Sequence, residues 1–410
     1  MGNTTPSYPR VLRTPLERDL QLYPVVVLVG ARQVGKSTLG RQIADRLGMA
    51  YRTLDDRDVL DQARADPAGL LADLGSDGAF IDEVQRAPGL FLAVKAVVDR
   101  NQRHGQYLLS GSAQPQIRGG VGDSLVGRAA YRVMRPLTLG ELRLSEDHAG
   151  WSFLLGDDEP AVLAELRRRS EESGELDWQD SVRTGGFPRV VATEPEERLR
   201  LLDEYVRVFA TRDIREILDL AAPDQFEQFM RLLASRTGQP RNVHGMGLDL
   251  QLPPTTLRRW MSALQESFLI EQIPSYSRNA GHRVTKAAKV YMVDAALAIA
   301  AAREQTPTGF HLENMVATDL LVWVGMAPSR ALYHWRLASG QEVDFVLEES
   351  GRLLPVEVKV GSRVGTGDTR HLRKFMSLYP AAQRAVLLSS DPDIRSIAPG
   401  VIAAPWWAVL

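Results

Sequence analysis

The segment Gly30-Ala31-Arg32-Gln33-Val34-Gly35-Lys36-Ser37-Thr38 constrains this chain more than any other part of it. Two glycines separated by four residues, then a lysine and two hydroxyls, make a backbone cradle for phosphate oxygens when a strand leads in and a helix leads out. Both flanks have that character. Tyr23-Pro24-Val25-Val26-Val27-Leu28-Val29 is a β-branched run, and Lys36 to Leu47 carries apolar residues at helical spacing. In such a loop the amides surround the phosphates, Lys36 reaches the β- and γ-phosphates, and Ser37 offers its hydroxyl to Mg²⁺.

A phosphate loop of this kind needs a carboxylate beside the metal. Ala79-Phe80-Ile81 is an apolar run that ends in Asp82-Glu83. Asp82 is expected next to Mg²⁺, and Glu83 is placed to orient or deprotonate an attacking water. Ser110 closes a further apolar run, Gln106-Tyr107-Leu108-Leu109, where a polar group meets the γ-phosphate or the water. Strand patterns at 51–55, 79–82 and 106–110 alternate with helical ones, which predicts a mainly parallel sheet with helices on both faces over residues 20–135.

At 410 residues the chain exceeds one ordinary core and is expected to hold two to four domains. Residues 157–204 are rich in Glu, Asp and Arg and read as a helical lid or connector, with helices at 161–169 and 196–217. Residues 231–289 then carry nine Lys or Arg against three acids. Within them, Pro253 to Leu264 is an amphipathic helix and Phe268 to Ile273 a strand, the order of a winged helix-turn-helix. Arg258 and Arg259 open its presumed recognition helix, suited to neutralising nucleic-acid phosphates. The same charge could instead meet the acidic 157–204 segment of this or another subunit. Trp260 is assigned to the core.

From residue 291 onward, helices at 294–303 and 313–324 precede strands at 333–337, 342–347 and 353–359. Glu342-Val343-Asp344 lies on one arm of a hairpin turning at Glu349-Ser350-Gly351, and Glu357-Val358-Lys359 on the other. Period two puts Glu357 and Lys359 on one face.

The absence of cysteine excludes disulfide scaffolds, thiolate metal sites and cysteine nucleophiles. A net charge of -2 carries no global sign of nucleic-acid binding, and the seven histidines are scattered without metal-like spacing. No apolar run reaches the roughly 18 residues of a membrane helix. The first residues also lack the apolar stretch of a secretory signal. A cytoplasmic protein without a membrane partner is the expectation.

The phosphate loop, the Asp82-Glu83 strand, Leu108-Leu109-Ser110-Gly111-Ser112, Ser124-Leu125-Val126-Gly127-Arg128 and Pro136-Leu137-Thr138-Leu139 together resemble the AAA-type ATPases with a C-terminal DUF4143 domain. Gly185-Gly186-Phe187-Pro188, Tyr205 with Arg212-Asp213-Ile214, and Gly309-Phe310-His311-Leu312-Glu313-Asn314 also resemble that family. The resemblance implies ATP and Mg²⁺ as ligands, a homo-oligomer, and Arg128 as a candidate arginine finger completing a neighbouring subunit's site. A plain salt-bridging role for Arg128 stands beside it. The C-terminal hairpin resembles a PD-(D/E)xK nuclease. That implies Mg²⁺ on Asp344 and Glu357, an added acid from Glu313, and Lys359 stabilising or activating the attacking hydroxide. The competing reading is a solvated strand face on which Glu342 pairs with Lys359 and no metal binds.

The expected fold is thus α/β in four parts. These are a P-loop parallel-sheet core (1–145), a helical connector (146–225), a winged helix-turn-helix (226–290) and a restriction-endonuclease-like α/β domain (291–410). The expected function is Mg²⁺-dependent ATP hydrolysis coupled to a DNA- or RNA-directed, nuclease-like domain. The alternatives are an ATP-gated switch acting on a protein partner, and a DNA-binding regulator with an inactive nuclease-like fold.

Overall fold

Five strands, β1 (Val25–Val29), β2 (Ala50–Thr53), β3 (Ala79–Asp82), β4 (Tyr107–Gly111) and β5 (Ala129–Val133), form the first sheet in the computed structural model. The structure describes residues 8–410 apart from 102, 113–124, 145–149, 219, 221 and 279–285. Ser124, named above, lies outside the described residues, as do His148 and His282 of the seven histidines and Arg283 of the nine basic residues. The strand order is β2-β3-β4-β1-β5 and every pairing is parallel. Every residue of β1, β3 and β4 is buried, so both faces of the sheet are covered. The cover comes from α1 (Arg13–Leu22), α2 (Lys36–Leu47), α3 (Arg57–Ala65), α4 (Pro67–Asp73) and α5 (Leu90–Asn101). Because β4 lies between β1 and β3, the carboxyl ends of these three strands form one edge, where an open α/β sheet binds its ligands.

After a short helix, α6 (Leu139–Leu142), the connector comprises α7 (Glu159–Ser173), α8 (Trp178–Thr184), α9 (Pro188–Val191) and α10 (Pro195–Thr211), and it divides between two cores. Trp151, Leu154, Val162, Leu166 and Val182 pack with the C-terminal domain. Phe187, Leu202 and Phe209 join the core of the first sheet. The division falls at Gly186. A Cβ there would stand 2.3 Å from the Leu137 carbonyl oxygen. The Gly186 carbonyl accepts from Leu137 N–H at 2.7 Å, and its own N–H donates to Asp294 at 2.6 Å. The Gly-Gly-Phe-Pro and Pro-Leu-Thr-Leu motifs therefore meet as one structural junction.

The middle module runs α11 (Pro223–Ala234), β6 (Gln239–Pro240), α12 (Val243–Leu250), α13 (Pro254–Glu266), β7 (Ile270–Ile273) and β8 (Lys289–Met292). Its strands pair antiparallel in the order β6-β8-β7. Trp260 fills its core as expected, 5.4 and 5.6 Å from the rings of Phe226 and Phe229. Next comes α14 (Ala295–Ala302), buried at every position. Its alanines allow α10 and α11 to pack closely against it.

The C-terminal domain consists of α15 (Gly309–Gly325), β9 (Arg330–Arg336), β10 (Glu342–Glu349), β11 (Arg352–Val358), α16 (Arg370–Leu378), β12 (Ala385–Ser389), β13 (Arg395–Ala398) and β14 (Val401–Pro405). Its mixed sheet is ordered β13-β14-β12-β11-β10-β9. The β10–β11 hairpin turns through Ser350 and Gly351, both at positive φ, and pairs Phe345 with Val356. Among the described residues no helix is long and apolar enough to cross a membrane.

Candidate active site

Gly30 ends β1 at a φ of 152°, and a Cβ there would sit 2.2 Å from the Met134 carbonyl oxygen, so no larger residue fits the start of the loop. Gly35, at a φ of 102°, caps α2 and turns the chain into the helix. Ala31 and Val34 point into the core, while Arg32 and Ser37 are half-buried and Gln33 and Thr38 exposed. Lys36 is 5% exposed, and its ammonium donates to the carbonyls of Gly30 (2.9 Å) and Ala31 (2.8 Å). Burial pushes this ammonium down to about 8, and the nearby charge of Arg32 adds to the fall. Glu83 and Asp82 pull the other way. A buried cation bonded, among the described residues, to carbonyls alone and feeling the charges of Asp82 and Glu83 suits an anionic ligand accompanied by a metal ion.

Asp82 ends β3 and Ser110 nearly ends the adjacent β4, and the serine hydroxyl donates to the aspartate. Glu83 follows at a φ of 59°, an uncommon backbone state for a glutamate, and accepts from the Gln85 side-chain amide. That amide also donates to Ser112 at 3.0 Å. Gln85 therefore orients Glu83, a role that sequence reasoning missed because a glutamine two residues past an acid pair carries no motif.

A cleft of about 570 Å³ opens between Gln33, Glu83 and Gln85 on one side and α10 with Arg212 and Asp213 on the other. Arg32 pairs with Asp213 at 2.6 Å, and the Tyr205 hydroxyl donates to the Arg32 carbonyl at 3.4 Å. These contacts tie the loop to the connector and give Tyr205 and Asp213 structural roles. Arg189 and Arg212 line the same cleft, a second feature not foreseen from sequence.

Arg128 lies elsewhere. Its carbonyl accepts from Val25 N–H, which puts it at the amino end of β1 and β5, away from the phosphate-loop edge, and its side chain pairs with Asp99. It takes no part in this chain's own site.

Arg258 and Arg259 are exposed on α13, and among the described residues no acid pairs with either. The acidic connector spends its charge locally, Glu165 on Arg168 and Arg169 and Glu204 on Arg207, each at 2.7 Å. Among the described residues, then, no ion pair joins the basic face to the acidic segment. One of the nine basic residues does not belong to that face at all, because Lys289 is buried, 1% exposed.

Lys289 is found at the C-terminal hairpin. Its ammonium pairs with Glu313 (2.9 Å), Glu342 (2.7 Å) and Asp344 (3.2 Å). The expectation that Glu313, Asp344 and Glu357 surround a divalent ion thus meets a different arrangement, since a lysine of β8 stands among these acids. Among the described residues no three acids or histidines are disposed to hold a metal. The expected Glu342–Lys359 pair is also replaced. Lys359 donates to Glu357 at 2.7 Å, which puts those two side chains on one face as the period predicts.

The second oxygen of Asp344 accepts from Val358 N–H at 3.0 Å, and Glu357 Oε2 is buried without a partner. Burial, reinforced by the charge of Asp344, pushes Glu313 up to about 7 and Glu357 up to about 8. Burial alone would push Lys289 down, but Tyr291 and the surrounding carboxylates hold it well above its ordinary value. The Gly309–Asn314 motif acts here as a docking device. Glu313 accepts from the Tyr291 hydroxyl at 2.6 Å, and Asn314 bonds both the N–H and the carbonyl of Met292, at 3.1 and 2.8 Å.

A parallel sheet with a phosphate loop after one strand and an acid pair along the same edge defines a P-loop ATPase type of domain. Residues 22–143 match the family described as AAA domain, and residues 308–409 and 175–308 match two domains of unknown function, DUF4143 and DUF8612. The chain carries an AAA-type P-loop ATPase domain with a DUF4143 domain at its C-terminal end.

Uncharacterized proteins of Mycobacterium bovis and Mycobacterium tuberculosis are each 29% identical over 359 residues, covering 84% of this chain and 72% of their own length. A shikimate kinase of Streptomyces coelicolor is 52% identical over 42 residues, 10% of this chain and 25% of its own. Among solved structures, a Walker-type ATPase of Pyrococcus abyssi is 16% identical with a TM-score of 0.42, covering 72% of this chain and 96% of that one. The RuvB Holliday junction branch migration motor of Thermotoga maritima is 17% identical with a TM-score of 0.30, covering 64% of this chain and 89% of that one.

Proposed function

We propose that this protein binds Mg²⁺-ATP at the phosphate loop, hydrolyses it, and uses the reaction to change how its middle module engages DNA. The observation that carries the reading is the buried Lys36 ammonium, bonded, among the described residues, to loop carbonyls alone and feeling the charges of Asp82 and Glu83. Lys36 exchanges those carbonyls for phosphate oxygens. Ser37 and Asp82 hold Mg²⁺, which supplies neutralisation of phosphate charge when bound. Ser110 fixes the Asp82 carboxylate, and Glu83, held by Gln85, orients the water and takes its proton. The test is ATP turnover, expected in the wild type and lost together with ATP binding in Lys36→Ala. Equal turnover in the two proteins would remove the reading. Arg128, remote from its own chain's phosphate loop, would act on a neighbouring subunit in a homo-oligomer by giving up its pairing with Asp99.

The DNA reading rests on the helix–strand–helix–helix–strand–strand order of the middle module, which is the order of a winged helix-turn-helix, and on the unpaired Arg258 and Arg259 exposed on α13. Each phosphate contact releases counterions. Arg258→Ala with Arg259→Ala is therefore expected to weaken duplex DNA binding and to lower the slope of log affinity against log salt by about two. An unchanged slope in a fluorescence-anisotropy titration would assign this face to a protein partner instead. A nuclease output would require a divalent ion among Glu313, Asp344 and Glu357, and Lys289 is the cation found beside two of them.

A further inference from the structure

We propose that Lys289 is a tethered cation that takes the place of a divalent ion in the C-terminal carboxylate cluster, and that the cluster accepts such an ion only when this side chain is withdrawn.

The cluster is drawn from separate elements, Glu313 from α15 and Glu342 and Asp344 from β10, while the cation comes from β8 of the middle module. The ammonium donates to Glu313 and Asp344 and stands 2.7 Å from Glu342, so three carboxylates face one cation within 3.2 Å. A divalent ion bound by the same oxygens would lie within a few ångströms of the ammonium, and two cations cannot share that space. The placement is built rather than incidental. Tyr291, two residues along the same strand, bonds the same Glu313 oxygen, and Asn314 locks α15 to the backbone of Met292.

Without Lys289 the cluster is short of cations. Among the described residues, Glu357, 5% exposed, already has one oxygen with no partner, and Asp344 would lose its one side-chain donor. As they stand no three of these acids are disposed to hold a metal, so the carboxylates would have to draw together around a small divalent ion as they replace the ammonium. Since β8 is paired on both sides with strands of the middle module, a movement of that module against the C-terminal sheet is what would draw Lys289 out. The inference rests on this geometry alone and stands whether or not the P-loop domain hydrolyses ATP.

The test is Mn²⁺ binding to the full, nucleotide-free chain, read from the free-Mn²⁺ electron paramagnetic resonance signal. Wild type is expected to show no site tighter than about 1 mM, the weak end of protein Ca²⁺ sites. Lys289→Met should gain one site at least tenfold tighter, and Lys289→Met with Asp344→Asn should lose it again. Lys289→Arg, which keeps a cation in place, should resemble wild type. If Lys289→Met is unfolded on purification, Mn²⁺ is expected to restore its helical circular dichroism. A wild-type site removed by Asp344→Asn would overturn the proposal. So would a folded Lys289→Met that gains no site, or an unfolded one that Mn²⁺ does not restore.

Discussion

Glu83→Gln is expected to lower ATP turnover by about 10²- to 10⁴-fold, the usual worth of a positioned general base, while ATP binding stays within a few-fold of wild type. The substitution keeps the shape of the side chain and removes its ability to accept a proton. Glu83 is held in an uncommon backbone state at the carboxyl edge of the sheet, with its carboxylate fixed by Gln85 and its charge felt by Lys36. None of these contacts binds phosphate, so a loss confined to the chemical step is the signature of its role. The measurement is single-turnover hydrolysis beside equilibrium binding of a labelled nucleotide. A Glu83→Gln protein that turns over within a few-fold of wild type would show that the base lies elsewhere. Parallel loss of binding would show that Glu83 holds the ligand.

Lys289→Met is expected to destabilise the protein by about 3–5 kcal/mol in the absence of divalent ions, because removing one partner of a buried ionic cluster leaves the others uncompensated. Three carboxylates face that ammonium, of which Glu313 is buried on α15 while Glu342 on β10 is partly exposed and also meets Arg336 at 3.6 Å. The deficit should depend on pH in a defined direction. Glu313 is already pushed up to about 7 by burial and by Asp344, with Lys289 opposing the rise. A carboxyl raised in the folded state contributes stability at low pH that is lost as pH climbs through its folded value. Deleting Lys289 raises Glu313 further, so the folded variant takes up a proton that the unfolded chain does not need. The deficit should therefore be larger at pH 8 than at pH 6. Urea unfolding at the two pH values tests this. A deficit under about 1 kcal/mol, the range of exposed ion pairs, or one that shrinks as pH rises, would show that the cluster is not held by this cation.

The ATPase half was legible from sequence because its chemistry is local. The loop from Gly30 to Thr38 is one contiguous turn whose glycines set its backbone, and an apolar strand ending in Asp82-Glu83 needs only parallel pairing to arrive beside it. Gln85 was not legible, since its role depends on Ser112 arriving on the neighbouring strand. The assignment of Trp260 to the core held for a similar local reason, the apolar face of a single helix. The connector read as one unit because its composition is uniform, yet its two ends joined different cores at Gly186, whose packing against Leu137 and Asp294 no local pattern announces.

The phosphate loop, its acid pair and the Glu357–Lys359 face of the C-terminal hairpin can be read along the chain, because each follows from residues next to one another or two apart along a regular element. What neutralises the C-terminal acids follows instead from contacts between distant elements. By composition Lys289 is one more charge on a basic stretch. Its ammonium reaches Glu313 and Asp344, 24 and 55 residues away, because β8 is paired between β6 and β7 and Asn314 holds α15 against it. Charge patterns reveal which groups seek partners. The partner itself is chosen by packing between distant elements, where burial makes an unmatched charge far more costly than any local preference.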